Sequence, residues 1–230
     1  MRYLTAATSV LSLLIVGSTA PARAEGPRFE EQGLYAPAPQ SHRSGPLLGL
    51  SLGTGAARFG GYPNDASKLD DARYYSSVGL RPGVVANVLL MAALTDYLNV
   101  GLWVGFGGFG AGTDSGKTTG GGLRVEGYPL AAIRPRYRNW GVFGQFGVGS
   151  GSLTQNDVVT TEGTQSFFSI GTYYEFEAMR QPGGLVMLGP ELSTQLIDSA
   201  SFKSQAILLS LRFAFYGHVA QHVTKHDDAL

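Results

Sequence analysis

The sequence predicts an all-β fold: a closed antiparallel up-and-down transmembrane β-barrel of eight strands. Three observations predict it. Large apolar residues recur at every second position in segment after segment from Pro46 onward. The positions between them carry glycine, serine and nearly all the strand charges, not the charged mixture of a water-facing surface. The N-terminus, finally, has the make-up of an export signal.

That signal comes first. In "MRYLTAATSVLSLLIVGSTAPARAEGP", Arg2 supplies a positive start, and Val10 to Val16 is an apolar run too short to span a bilayer as a helix. Ala22-Arg23-Ala24 gives a small-x-small cleavage site before Glu25, so residues 1–24 read as a signal peptide. Residues 25–45 are polar, dotted with proline and without period, and read as a flexible periplasmic arm. The barrel is expected over 46–217 and a polar tail over 218–230.

The first barrel segment, near 46–57, sets Leu48, Leu50 and Leu52 against Gly49, Ser51 and Gly53. The second, near 74–90, sets Val78, Leu80, Val84, Ala86 and Val88 against Gly79, Arg81, Gly83 and Asn87, with Pro82 marking a bulge or a missing ladder bond. The third, "YLNVGLWVGFGGFGAG", has Leu98, Val100, Leu102, Val104 and Phe106 on one face and Asn99, Gly101, Trp103, Gly105 and Gly107 on the other. The fourth, near 119–130, opposes Leu123 and Val125 to Arg124, Glu126 and Tyr128. The fifth, near 140–151, opposes Val142, Phe146 and Val148 to Phe143, Gln145, Gly147 and Gly149. The sixth, near 165–178, opposes Phe168, Ile170, Tyr174 and Phe176 to Ser169, Gly171, Glu175 and Glu177. The seventh, near 184–196, opposes Val186, Leu188, Leu192 and Leu196 to Glu191, Ser193 and Gln195. The eighth, near 204–217, opposes Ile207, Leu209, Leu211, Phe213 and Phe215 to Ser210 and Arg212.

Each segment has about ten residues or more, the length a tilted strand needs to cross a bilayer. Lipid accepts the apolar face, and an eight-stranded lumen is only wide enough for side chains, which explains the small residues on the other. Closure satisfies every backbone donor and acceptor inside lipid. A soluble barrel with the apolar face inward would instead expose Gly101, Gly105, Gly107, Gly147 and Gly149, where they weaken the sheet and fill no packing need. It would also have little charge to solubilise it, since 15% of the 230 residues are charged.

The expected lipid-facing set therefore includes Leu98, Val100, Leu102, Val104, Phe106, Ile207, Leu209, Leu211, Phe213 and Phe215. The inward charges are Arg81, Arg124 and Arg212 against Glu126, Glu175, Glu177 and Glu191. They are close to balance, and buried unpaired charge is costly, so they are expected to form an ionic plug across the lumen. Tyr128, Phe143 and Trp103 would fill gaps beside the glycines. Trp103, Trp140, Tyr97, Tyr128, Tyr173 and Tyr174 also include candidates for the interface girdle, with Trp103 able to point inward.

The connections after the second, fourth and sixth segments are "AALTD", "AAIRPRYRN" and "RQPGG". With the N-terminus in the periplasm these are periplasmic. Arg134, Arg136 and Arg138 then form a basic periplasmic loop, positioned to meet anionic headgroups or simply to solvate the turn. The opposite connections are expected to be longer, about 13 residues after the fifth segment, and "GTDSGKTTGGG" reads as an outer loop.

Little in the chain suggests chemistry. There is no cysteine for thiol catalysis, zinc thiolates or disulfides, and the formal net charge of zero gives no sign of nucleic acid as a partner. The four histidines, His42, His218, His222 and His226, all lie outside the predicted strands, so an acid–base pair within the barrel is disfavoured. His218, His222 and His226 have ligand-like spacing for a helix, but the valines at 219 and 223 oppose a short helix, and no metal or other cofactor is assigned. Gly116-Lys117-Thr118 lacks the upstream glycine of a phosphate loop.

On the signal peptide, the eight dyad segments and hairpins such as "LTDYLNVGL" and "RNWGVFGQFGVGSG", the chain resembles the small eight-stranded outer-membrane β-barrels of Gram-negative bacteria, of OmpA/OmpX or OmpW type. The resemblance covers residues 46–217 and departs from the group where "GHVAQHVTKHDDAL" follows Phe215 and Tyr216, leaving "ILLSLRFAF" as an internal assembly signal. It implies an integral outer-membrane location with both tails periplasmic, and membrane lipids and the barrel-assembly machinery as partners. This fold hosts many functions. A structural or surface-interaction role, with a surface ligand of unknown kind, stands beside a narrow conduit for small or hydrophobic solutes. An envelope enzyme is the third and least supported reading.

Overall fold

A computed structural model describes Arg43 and residues 45–63, 65–131, 133, 137–156, 158–181 and 183–217. The expected signal peptide, almost all of the arm, Arg134, Arg136 and the tail beyond Gly217 lie outside the described residues.

The alternating pattern folds into β1 (Gly45–Gly61), β2 (Ser76–Thr95), β3 (Leu98–Ala111), β4 (Asp114–Gly127), β5 (Trp140–Gln155), β6 (Val158–Tyr174), β7 (Phe176–Gln181), β8 (Gly184–Asp198) and β9 (Phe202–Gly217). Apart from β6 and β7, sequence neighbours pair antiparallel, and β1 pairs with β9, from Leu47 opposite Tyr216 to Gly61 opposite Phe202. β6 and β7 both pair with β8 and form one course broken at Glu175. The result is a closed barrel of eight strand courses. Among the described residues no helix is long and apolar enough to cross a membrane.

Register decides which way each side chain faces. Leu50 lies between Val88 and Phe213, and Leu102 between Leu90 and Leu123; all six are exposed on the outer wall. One residue along, Ser51 sits between Asn87 and Arg212, and Arg124 beside Gln145, all buried inside. Leu102 is 53% exposed and its neighbour Trp103 1%, so the two faces are sharply distinct. Leu98, Val104, Phe106, Ile207, Leu209, Leu211, Phe213 and Phe215 are exposed and Val100 is half-buried.

Several inward glycines lie against aromatic rings. A Cβ on Gly105 would meet Trp103, one on Gly120 or Gly149 would meet Phe167, and one on Gly171 would meet Phe143. Aromatic side chains thus occupy the volume that larger residues at these positions would need. Beyond Trp103, the lumen away from the chain ends is filled by Phe59, Phe109, Phe202, Leu153 and Phe167. Phe59 packs 5.6 Å from Phe109 and 5.9 Å from Phe202, centroid to centroid.

We call the end holding Gly45 and Gly217 the near end. There the β2–β3 turn is Asp96–Tyr97, and the β4–β5 connection runs from Tyr128 to Asn139. At the far end the sheet departs from expectation. β4 begins at Asp114, so the glycine-rich stretch read as an outer loop is largely strand, and the β3–β4 turn is Gly112–Thr113. The β5–β6 connection is two residues, Asn156 and Asp157, where about 13 were expected. The outer wall explains the misreading. Lys117, Thr119, Ser150, Glu162, Thr164 and Ser166 are exposed there, so the strands continue but their outer face turns polar and the apolar dyad vanishes.

The phase also slips at four bulges, one of which turns an expected outer residue inward. Between β1 and β2 the register shifts from Ala57 opposite Arg81 to Phe59 opposite Val78, giving β2 an extra residue. Val78, expected on the outer face with Leu80, is therefore 3% exposed and packs inside, whereas Leu80 stays outside.

Candidate functional site: a buried charge cluster in the lumen

Strand periodicity delivers charged residues from distant strands to one level of the lumen. β4 supplies Arg124 and Glu126, β8 supplies Glu191, β9 supplies Arg212, and the break between β6 and β7 supplies Glu175. All five are buried. Arg212 donates from Nη1 and Nη2 to both oxygens of Glu126, at 2.7 and 2.9 Å, and from Nε to Glu175 Oε1 at 3.1 Å. Arg124 donates from Nε to Glu126 Oε1 at 2.8 Å, from Nη2 to Glu191 Oε2 at 2.7 Å and from Nη1 to Gln145 Oε1 at 3.1 Å. The fork of a guanidinium suits such multiple carboxylate contacts.

Uncharged groups complete the carboxylates' bonding. Asn99 Nδ2 and the Tyr173 hydroxyl donate to Glu126 at 3.0 and 3.1 Å. The Ser51 hydroxyl donates to Glu191 at 3.1 Å. The hydroxyls of Tyr128 and Tyr216 each donate to Glu175 at 3.0 Å and lie 2.7 Å from one another. The guanidinium carbons of Arg124 and Arg212 sit 3.6 and 4.5 Å from the ring centroids of Phe143 and Tyr173.

A sixth charge comes from outside the strands. Arg43, within the segment expected to be a flexible arm, is 1% exposed. Its Nη2 donates to Glu175 Oε2 at 3.3 Å and to Asn139 Oδ1 at 2.9 Å. Arg43, Arg124 and Arg212 thus face Glu126, Glu175 and Glu191, three positive charges against three negative.

Two residues expected in this cluster are elsewhere. Arg81 pairs with Asp114 at 2.8 Å, and the two side chains are 31% and 26% exposed; β2 carries Arg81 toward the far end, where the start of β4 meets it. Glu177 is exposed and pairs with Arg180 at 2.9 Å. The ladder breaks at Glu175, whose backbone N–H donates to the Asn139 carbonyl at 3.0 Å, and all six residues of β7 beyond it are exposed. Tyr128 and Tyr173, candidates for the girdle, are buried members of the cluster, whereas Tyr97 is exposed and Trp140 and Tyr174 are half-buried. Arg138 lies exposed in the β4–β5 connection.

Sequence reasoning missed Arg43, Ser51, Asn99, Gln145, Tyr173 and Tyr216 as cluster members. For the five on strands the signal existed: each falls on the inward phase, but polarity short of charge carries less weight in the pattern. Arg43 precedes the periodic region and gave no such signal.

Above the cluster the lumen holds a cavity of about 10 Å³, lined among others by Asn87, Trp103, Gln145, Glu191 and Gln195. That is room for roughly one water molecule.

No family model matches the chain, and no curated protein matches it. Solved structures do. Ail, the attachment invasion locus protein of Yersinia pestis, is 13% identical, with 75% of this chain and 99% of that one covered and a TM-score of 0.45. Neisserial surface protein A is 12% identical over 73% of this chain and 96% of that one, with a TM-score of 0.41. The outer membrane protein OprG of Pseudomonas aeruginosa is 12% identical over 78% and 99%, with a TM-score of 0.37.

Proposed function

We propose that the protein is an integral outer-membrane barrel with a structural or surface-interaction role and a lumen closed to solutes. The near end lies in the periplasm, the apolar outer wall meets lipid, and the far end is presented outside the cell. The buried charge cluster is the observation that carries this reading. Six charges sit side by side across the axis with no net charge, each carboxylate bonded by at least one guanidinium. Such a cluster would close the lumen to water at its level. No reaction is assigned to the chain. Barrel-assembly machinery would read "ILLSLRFAF" of β9, and a surface ligand would meet the far-end connections.

The mature protein should fractionate with the outer membrane, shift in mobility on boiling, and show no large, steady conductance in a planar bilayer. A stable open channel would replace this reading with the solute conduit. Recovery as a soluble periplasmic protein would overturn it entirely. Leu102→Arg should impair insertion by about 2–4 kcal/mol, the cost of a cation on the lipid face at mid-bilayer. Insertion of that variant equal to the parent's would mean that the outer wall does not face lipid.

A further inference from the structure

Arg43 is buried at the near-end mouth, ahead of the first strand. What holds it is a set of groups drawn from three separate connections. The β2–β3 turn supplies Asp96, whose Oδ1 accepts the Arg43 backbone N–H at 2.8 Å. The β4–β5 connection supplies three contacts: the Tyr128 ring, 3.9 Å from the guanidinium carbon, the Arg138 carbonyl at 3.2 Å and Asn139 Oδ1 at 2.9 Å. The β6–β7 break supplies Glu175 at 3.3 Å. An aromatic face, a carboxylate and two neutral oxygens are the set that recognises a planar cation with several donors.

Two further features bear on how Arg43 is held. Gly45, two residues on, has φ +85°, a conformation that favours glycine and turns the chain from the mouth into β1. Arg43 Nε is buried without a hydrogen-bond partner among the described residues, so the tethered side chain does not use all its donors. Without Arg43 the cluster would hold Arg124 and Arg212 against Glu126, Glu175 and Glu191, two positive charges against three negative.

The geometry points to a guanidinium-binding site at the near-end mouth, filled in cis by Arg43 acting as a removable stopper. Its ligand class in trans is a small guanidino compound or an arginine side chain, either of which must compete with Arg43. The site belongs to the cluster on which the closed-lumen reading rests, but its test is separate: it reads binding in detergent solution, whereas closure is read by conductance.

The experiment uses the full mature chain in detergent, as parent, Arg43→Ala and Arg43→Lys, with ethylguanidinium, ethylammonium or sodium chloride at matched millimolar concentrations. Ethylguanidinium at ten times its dissociation constant should raise the unfolding temperature of Arg43→Ala by about 3–6 °C. It should leave the parent unchanged, and ethylammonium should act more weakly. Arg43→Lys, which keeps the charge and loses the fork, should fall between parent and Arg43→Ala in stability. If Arg43→Ala does not assemble alone, ethylguanidinium in the refolding buffer should restore the heat-modifiable form. Equal response of parent and Arg43→Ala, equal effects of ethylguanidinium and ethylammonium, or no rescue of an unassembled Arg43→Ala would each overturn the proposal.

Discussion

The near half of the lumen adds a cluster of buried charges to apolar side chains such as Leu47, Leu185 and Met187, whereas the far half is filled mainly by aromatic rings. Toward the near end, guanidiniums, carboxylates and tyrosine hydroxyls meet in a bonded cluster. Toward the far end, Trp103, Phe59, Phe109, Phe167 and Phe202 pack over glycines and aliphatic side chains. The difference teaches what a narrow barrel demands of its interior. The space must be filled, and either chemistry suffices, but the two fail differently. Removing an apolar group leaves a hole, whereas removing one charge leaves its partners buried and unbalanced.

Arg212→Ala should be the most damaging change. It strips Glu126 of two hydrogen bonds and Glu175 of one, leaving three buried carboxylates with Arg124 and Arg43. Breaking a buried pair from one side costs about 3–5 kcal/mol. Urea unfolding of the heat-modifiable form should read it, and a loss under 1 kcal/mol would erase the distinction between the halves. Trp103→Ala tests the other half. We expect about 3 kcal/mol, the low end for a deleted tryptophan, because Phe167, 5.7 Å away, can settle toward the space. Tyr216→Phe keeps shape and removes one hydroxyl from Glu175, for about 1–2 kcal/mol by the same assay. Gln165→Leu should have the smallest effect and the opposite sign. Gln165 is 2% exposed, and neither atom of its amide has a hydrogen-bond partner among the described residues. An apolar replacement in that half should be neutral or stabilise by up to about 1 kcal/mol. Destabilisation beyond 1 kcal/mol would show that the far half also depends on polar contacts.

How much of this could be read from the sequence follows the same division. The dyad placed Arg124, Glu126, Glu191 and Arg212 on the inner wall because each lies in an unbroken alternation with apolar neighbours outside. It misplaced Val78 because an extra residue in β2 reverses the phase, and it misplaced Glu177 because the strand leaves its ladder at Glu175. The far ends of β4, β5 and β6 were read as loops because Lys117, Ser150 and Glu162 on the outer wall broke the contrast on which the reading depended. Arg43 was invisible for a different reason. Nothing local marks it, and its place is set by groups from three connections far along the chain.

Glu175 links residues that synthesis separates widely. It bonds Arg43, 132 positions before it, Tyr128, 47 before it, and Tyr216, 41 after it. Arg212, its other charged partner, is on β9, the strand that closes the barrel against β1. The cluster therefore cannot be completed until the first and last strands have met. Contacts of such sequence separation form late and slow the approach to the native state. Ser51 and Arg212 face each other across this seam, and a slip of one residue would turn one of them to the outer wall, so the complete cluster and the observed β1–β9 register go together.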